Sequence, residues 1–340
     1  MSTYHIPGLP RHDRPFRLRR SCLAVPGSSP KMMQKAQGLA ADQVFLDLED
    51  SVAPNAKADA RRNIIAALHE GQWDGKATVV RVNDCSTTWT FRDVIEVVGE
   101  AGDKLDCIMV PKVEYAGQVH FVDHLITQLE LENGWGVGRI GLEIQLESAN
   151  GLVNLTDIAR SSSRIEALIF GPGDMSASLG KPTLTVGAGD GGYGSDPWHA
   201  VLTQILVTAR SVGAQAIDGP FAQIHDAEGY RASARSSALL GFDGKWVLHP
   251  SQLDVANEVY SIPQADFERA NDIIDAYAYA TETEGTGAVM FGSDMIDEAT
   301  RKMAVENQQR GKRQGLEVRP TPDDVPFHER GAWRAENLDP

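Results

Sequence analysis

One setting recurs along the sequence: a polar side chain directly after a short apolar run, as at Asp47, Glu49, Asp50, Arg81, Asn83, Lys112, Glu147, Asp174, Asp218 and His249. The set mixes carboxylates with a few cations, as a hard divalent metal and an anionic ligand held together would require. Glu147 and Asp174 end consecutive runs and should stand side by side, where two carboxylates repel unless a proton or a divalent cation lies between them. Mg²⁺ takes one or two protein carboxylates and completes its octahedron with water and substrate oxygens. The competing reading makes either acid a helix N-cap or a salt-bridge partner. No His–Cys cluster has zinc spacing. Arg81 can fork onto a carboxylate or a developing oxyanion, or pair with Asp47, Glu49 and Asp50, and both roles can hold at once. At least one of those three acids is expected to orient Arg81 or Lys112, and Asp47 suits that supporting place best. Lys112, after Pro111, also leaves a Schiff-base role open. Gly171-Pro172-Gly173-Asp174 lets backbone N–H groups come close to an anion. His249 reads as a base or as a strand-end hydrogen-bond donor. Ser28, Ser29, Lys31 and Lys35 read as a phosphate-holding helix start or as a plain solvated one.

The elements that must position these groups repeat as apolar run, polar corner and helical stretch. The runs are Cys22–Val25, Val44–Leu46, Thr78–Val82, Cys107–Val110, Ile140–Leu146, Ala167–Phe170, Gln215–Ile217 and Trp246–Leu248. They alternate little, as for parallel strands covered on both faces, and amphipathic segments such as 59–69, 116–130 and 197–212 lie between them. Eight such units predict a closed (β/α)8 TIM barrel, with its reactive groups on the C-terminal rim. An open doubly wound sheet is the alternative, but no GxGxxG follows the first run. The expected organisation is an N-terminal arm over 1–19, the barrel over 20–255, a C-terminal helical extension over 256–309 and a loosely held polar tail over 310–340. Residues 183–195, rich in glycine, read as a long loop over the rim.

The 340 residues carry a net charge of −15 and a pI near 5.0, which disfavours nucleic acid and anionic membranes as partners. An acidic chain that holds an anionic substrate needs local positive charge from a metal, placed Arg and Lys, or helix N-termini. Cys22, Cys85 and Cys107 cannot all pair and lie far apart, which suits a reduced, cytoplasmic chain. No run is long enough for a membrane span, and the first residues lack the apolar centre of a signal peptide.

Several motifs in order resemble the HpcH/HpaI aldolase–citrate lyase β family. They are residues 20–28 (RSCLAVPGS), 47–54 (DLEDSVAP), 81–83 (RVN), 111–113 (PKV), 147–149 (ESA), 171–174 (GPGD), 218–220 (DGP) and 244–250 (GKWVLHP). Residues 195–199 (SDPWH) and 218–221 (DGPF) are most similar to its malyl-CoA lyase branch. The resemblance implies Mg²⁺, with Mn²⁺ as a substitute, held by Glu147 and Asp174. It implies that Arg81 hydrogen-bonds the oxoacid carbonyl and that the amides of Gly173 and Asp174 hold its carboxylate. Leu248 and His249 would line the acyl-CoA site, and Ala24, Ser29 and Lys35 would lie along the CoA thioester. Ser29 stands where a basic residue is common and Ala24 where some members carry an aromatic one. Asp297, in a Met295-Ile296-Asp297 match, would be the catalytic acid–base, supplied by a neighbouring subunit of a homotrimer or homohexamer. Asp47, Glu49, Asp50 and Lys112 would support the site from behind. The implied reaction is reversible, retro-Claisen cleavage of malyl-CoA or β-methylmalyl-CoA to an acyl-CoA and glyoxylate. Alternatives are a citramalyl-CoA lyase, a citrate lyase β-like subunit, or a CoA-independent class II 4-hydroxy-2-oxoacid aldolase.

Overall fold

Short apolar runs that do not alternate have to bury both faces, and a closed parallel barrel ringed by helices lets them do so. The computed structural model describes residues 15–182, 184–186 and 196–338. Two compact units divide the chain, Met1–Tyr260 and Ser261–Pro340.

The first unit opens with β1 (Ser21–Pro26), α1 (Pro30–Gln37), β2 (Gln43–Asp47), α2 (Lys57–Glu70), β3 (Ala77–Arg81) and α3 (Thr90–Ala101). It continues through β4 (Cys107–Val110), α4 (Ala116–Glu132), β5 (Gly141–Leu146), the short helices α5 (Ala149–Val153) and α6 (Leu155–Arg160), and β6 (Ile165–Phe170). It ends with α7 (Pro172–Ser178), α8 (His199–Ser211), β7 (Gln215–Asp218), α9 (Ala227–Leu240), β8 (Gly244–Val247) and α10 (Leu253–Val259). The eight strands pair in chain order, all parallel, and β1 closes on β8 through Cys22 opposite Trp246. The expected (β/α)8 barrel is therefore the fold. Local signals set the helix ends: Ser29 accepts the Met32 amide ahead of Pro30 at the start of α1, and Asp226 accepts the Gly229 amide to start α9. Gly241, at φ 119°, ends α9 in the left-handed conformation that favours glycine.

The barrel interior is layered. At the N-terminal ends of the strands, the buried Arg19 guanidinium bonds Glu143 at 2.7 Å, Glu166 at 2.7 Å and Gln43 at 2.9 Å, and it also reaches Gln215. An apolar layer follows, with Cys22, Phe45, Val79, Met109, Ile169, Ile217 and Trp246. The reactive groups lie above it. Cys22, Cys85 and Cys107 are all free, and among the described residues no helix is long and apolar enough to cross a membrane.

The second unit packs α11 (Gln264–Glu282) on α12 (Glu298–Arg313), with a hairpin of β9 (Ala288–Phe291) and β10 (Asp294–Asp297) between them in sequence. Phe291 and Ile296 of the hairpin join Ala270, Ile273, Ala276 and Ala304 in its core. The tail over 310–340 differs from the loosely held segment its composition suggests. It begins inside α12 and ends in α13 (Arg330–Asn337), whose buried Arg334 grips Asp272 of α11 through two bonds of 2.7 and 3.0 Å. The long loop expected over 183–195 lies outside the described residues, apart from 184–186.

Candidate active site

Parallel pairing places Asp47 directly opposite Arg81 at the ends of β2 and β3. Arg81 Nε and Nη2 donate to the two oxygens of Asp47 at 2.7 Å each, a bidentate pair. Arg81 Nη1 meets Glu49 at 3.0 Å and Gln145 at 3.4 Å. The second hydrogen of Nη2 has no protein acceptor among the described residues. Burial pushes the Asp47 carboxyl up, but Arg81, Ser51 and the Glu49 amide outweigh it and hold the group below the usual carboxylate range. Asp47 is thus committed to orienting the arginine.

Lys112 follows β4 with φ 51°, and no other non-glycine residue described has a positive φ. That left-handed turn aims its amide at Glu147, whose Oε1 accepts it at 2.7 Å. Its ammonium reaches Glu49 at 2.6 Å, Asp50 at 3.1 Å and Asp174 at 3.8 Å. Burial works against the Lys112 charge, but Glu49 and Asp50 prevail and hold it above the ordinary lysine range. An ammonium so held stays protonated, which speaks against a Schiff-base role. Glu49 is pushed up by burial, with Asp50 adding to the shift.

Glu147, just past β5, is 3% exposed. Its Oε2 accepts Gln145 Nε2 at 2.8 Å. Burial, and then the charges of Asp174 and Glu49, push its carboxyl up to about 8. The rim therefore concentrates more negative charge than Arg81 and Lys112 neutralise. An all-oxygen donor pair, one buried and one, Asp174, 46% exposed, fits a hard divalent cation that keeps other ligands. Among the described residues there is no group of three or more His, Cys, Asp and Glu able to hold a metal. Asp174 sits in the first turn of α7, where the amides of Gly173 and Asp174 have no acceptor within the helix.

Other expected residues fall elsewhere. Asp218 ends β7 but pairs with the buried Lys245 at 2.6 Å, on the side where Tyr230 of α9 packs. Asn83 bonds Asp93. Ser29 caps α1, and Lys35 is exposed in that helix's last turn. Leu248 and His249 follow β8; His249 Nδ1 accepts the Ser251 amide and caps the turn there, which leaves the ring hydrogen on Nε2. Ala24 faces the barrel interior, half-buried against the apolar layer. Asp297, in the second unit, is the N-cap of α12, and its Oδ1 accepts the Thr300 amide at 3.0 Å. That bond holds its carboxyl below the usual range.

Gln145 was missed from sequence, and Gly171 was read only as part of a turn that approaches an anion. Gln145 bridges Arg81 and Glu147; the signal was its place two residues before Glu147, on the same face of β5. Gly171 is required because a Cβ there would lie 2.5 Å from Glu147 Cβ and 2.7 Å from its Oε2. At Gly173, by contrast, a Cβ would meet only ordinary contacts.

A closed parallel barrel whose C-terminal rim gathers carboxylates around one fixed arginine defines a barrel enzyme. The profile of the HpcH/HpaI aldolase/citrate lyase family matches residues 20–250, and the chain belongs to that family of lyases. The L-malyl-CoA/β-methylmalyl-CoA lyase of Rhodobacter capsulatus is 40% identical over 299 residues, 85% of this chain and 93% of that protein. A (3S)-malyl-CoA thioesterase of Cereibacter sphaeroides is 34% identical over 280 residues, covering 82% and 89%. Among solved structures, the CitE protein of Mycobacterium tuberculosis in complex with magnesium, acetoacetate and coenzyme A aligns with a TM-score of 0.66. It is 28% identical, over 87% of this chain and 97% of that one.

Proposed function

We propose that this chain cleaves malyl-CoA or its β-methyl homologue reversibly to glyoxylate and an acyl-CoA. The similarity to the Rhodobacter enzyme along nearly its whole length, joined to the fixed Arg81 on the rim, carries this reading. Glu147 and Asp174 would hold magnesium, with manganese able to replace it, and the ion when bound supplies a Lewis acid for oxygen atoms of the oxoacid. Arg81 directs its unshared Nη2 hydrogen to the oxoacid oxygen that gains charge as the carbon–carbon bond breaks. The amides of Gly173 and Asp174 hold the oxoacid carboxylate, and Asp47, Glu49, Asp50 and Lys112 fix the groups around it. Ala24, Ser29, Lys35, Leu248 and His249 line the path of the thioester.

Asp297 of a second copy exchanges the proton at the acyl α-carbon. In condensation it removes that proton, the thioester enolate attacks the aldehyde carbon, and the oxygen formed, stabilised by Arg81, takes a proton from solvent to become the hydroxyl. Cleavage reverses each step. Its hydrogen bond to Thr300 keeps Asp297 ionised and ready to accept a proton, while positioning makes up for its low basicity. Such sharing requires an oligomer, a trimer or hexamer in this reading, working in the cytoplasm.

The test is a magnesium-dependent assay of the purified chain on malyl-CoA, β-methylmalyl-CoA and citramalyl-CoA, following the oxoacid released. Glyoxylate from the first two is the expected result. Pyruvate from citramalyl-CoA alone would point to the citramalyl reading, and free malate with no glyoxylate to hydrolysis. Turnover of a free 4-hydroxy-2-oxoacid with no thioester cleaved would overturn the assignment.

A further inference from the structure

We propose that Trp246 is a positioning residue for Arg81, acting through the face of its indole ring; the proposal rests on the reading of Arg81 as the donor to the developing oxyanion. Trp246 points from β8 into the barrel and is 4% exposed, in the apolar layer beneath the rim. The guanidinium carbon of Arg81 stands 5.2 Å from its ring centroid and 5.9 Å from that of Phe45. The two rings meet at 4.5 Å with an interplanar angle of 42°. Asp47, Glu49 and Gln145 take the guanidinium by its N–H edge, whereas the rings support its carbon from the apolar side. Edge contacts alone leave the fork free to rock; a floor of two rings restrains that motion.

The residue type supports this division of labour. The indole N–H is buried and has no hydrogen-bond acceptor among the described residues. A buried tryptophan N–H normally finds a partner, and an orphaned donor lowers stability. Phenylalanine would occupy much of the same space with no such penalty. What indole adds is its π-face, which attracts cations more strongly than the rings of phenylalanine or tyrosine. The cation present is Arg81, held where a small misplacement of a donor sharply reduces its effect on the transition state.

The magnesium-loaded full chain tests this through malyl-CoA cleavage and thermal unfolding of Trp246→Phe and Trp246→Leu, each made in the wild-type and Arg81→Lys backgrounds. Trp246→Phe keeps a ring face and loses the orphaned donor, so it should unfold no earlier than wild type and hold kcat within about threefold. Trp246→Leu should lower kcat about tenfold while KM for the thioester stays within about twofold, the pattern of an interaction used in the transition state. With Arg81→Lys already present, the leucine substitution should cost less than about twofold more, because its target is gone. A folded leucine variant at wild-type kcat overturns the proposal. So does a phenylalanine variant that falls as far as leucine, which would assign the effect to the N–H, or an undiminished leucine effect beside Arg81→Lys. Should leucine prevent folding, Trp246→Met takes its place under the same criteria. Wild-type turnover by Arg81→Lys alone would overturn the reading of Arg81 itself, a result the Trp246 variants cannot produce.

Discussion

Glu147 carries a conflict that either a proton or a cation resolves: a carboxyl buried beside Asp174 and Glu49 that holds its proton up to about 8. At pH 7 a carboxyl so raised should be mostly protonated without metal, and if Glu147 is the proposed ligand a divalent cation has to expel that proton to bind. Calorimetry in two buffers of different ionisation enthalpy should find roughly nine-tenths of a proton released per magnesium at pH 7, falling to about half at pH 8. No release at pH 7 would remove Glu147 as a ligand. The same shift gives a stability prediction: with the folded value above the unfolded one, the contribution is complete below about pH 4.3 and is lost as pH rises through about 8. In chelator, wild type should lose thermal stability across that window and Glu147→Gln should lose less. Lys112 makes a separable claim, because its left-handed backbone and its charge can be tested apart. Lys112→Ala and Lys112→Gly both delete the ammonium, but only glycine relieves the turn, so denaturant unfolding should find glycine the more stable by about 1 kcal/mol. Equal stabilities would mean the turn carries no strain. Much of this residue-scale picture was legible, since acids and cations at the ends of apolar runs must gather on a barrel's rim. The choice between alternatives was not. Asp47 was read as a support, but that Asp218 turns to Lys245, and that Gln145 and Gly171 shape the place of Glu147, depends on contacts between strands that no single run announces.

At the scale of elements, the strands were readable because continuous burial needs continuous apolar runs: Cys107–Val110 falls where expected, and Thr78–Val82 is displaced by one residue from β3. α11 and α12 were readable as a helical extension, but α13 was not, and neither was β10, because four residues with two acids resemble a loop until β9 pairs with them. Polar composition misled at the tail, and in the arm it gave no sign of a buried charge. Arg334 in the tail and Arg19 in the arm are long, charged and fully buried, each held by acids far away in sequence. Arg19 bears most on the barrel, because it joins the starts of β2, β5, β6 and β7 beneath the apolar layer. Removing it leaves Glu143, whose carboxyl burial already pushes up, without its cation, and leaves Glu166 with Arg17 alone. Arg19→Met should therefore cost about 3–5 kcal/mol, the usual result of breaking a buried pair from one side. For a domain of this size that lowers the unfolding midpoint by roughly 6–20 °C. Turnover at 25 °C should stay near wild type, since the layer of Phe45 and Trp246 separates Arg19 from the rim. An unchanged midpoint would mean the cluster is a bystander; lost turnover in the folded variant would mean the two polar layers communicate.

On the scale of the whole molecule, the proposed chemistry divides between the two compact units. The first unit holds Arg81, Glu147 and Asp174; Asp297 belongs to the second, on the hairpin face that also carries the exposed, cross-paired Met290 and Met295. In the proposed site the carboxylates of the rim are already engaged, since Asp47 and Glu49 answer Arg81 and Lys112 while Glu147 and Asp174 would hold the metal. A proton acceptor for the acyl carbon must therefore come from outside that group, and supply by a second copy makes a quantitative claim. Asp297→Ala and Glu147→Ala should each be nearly inactive alone. If each site joins the rim of one copy to the Asp297 of another, random exchange in a one-to-one mixture makes about one site in four from two intact halves. Activity should then recover to about a quarter of wild type, whatever the number of copies in the ring. If each chain serves its own rim, every site in the mixture retains one defect and recovery is nil. Mass measurement of differently tagged copies establishes that exchange took place, so a silent mixture of exchanged oligomers would place Asp297 over the rim of its own chain.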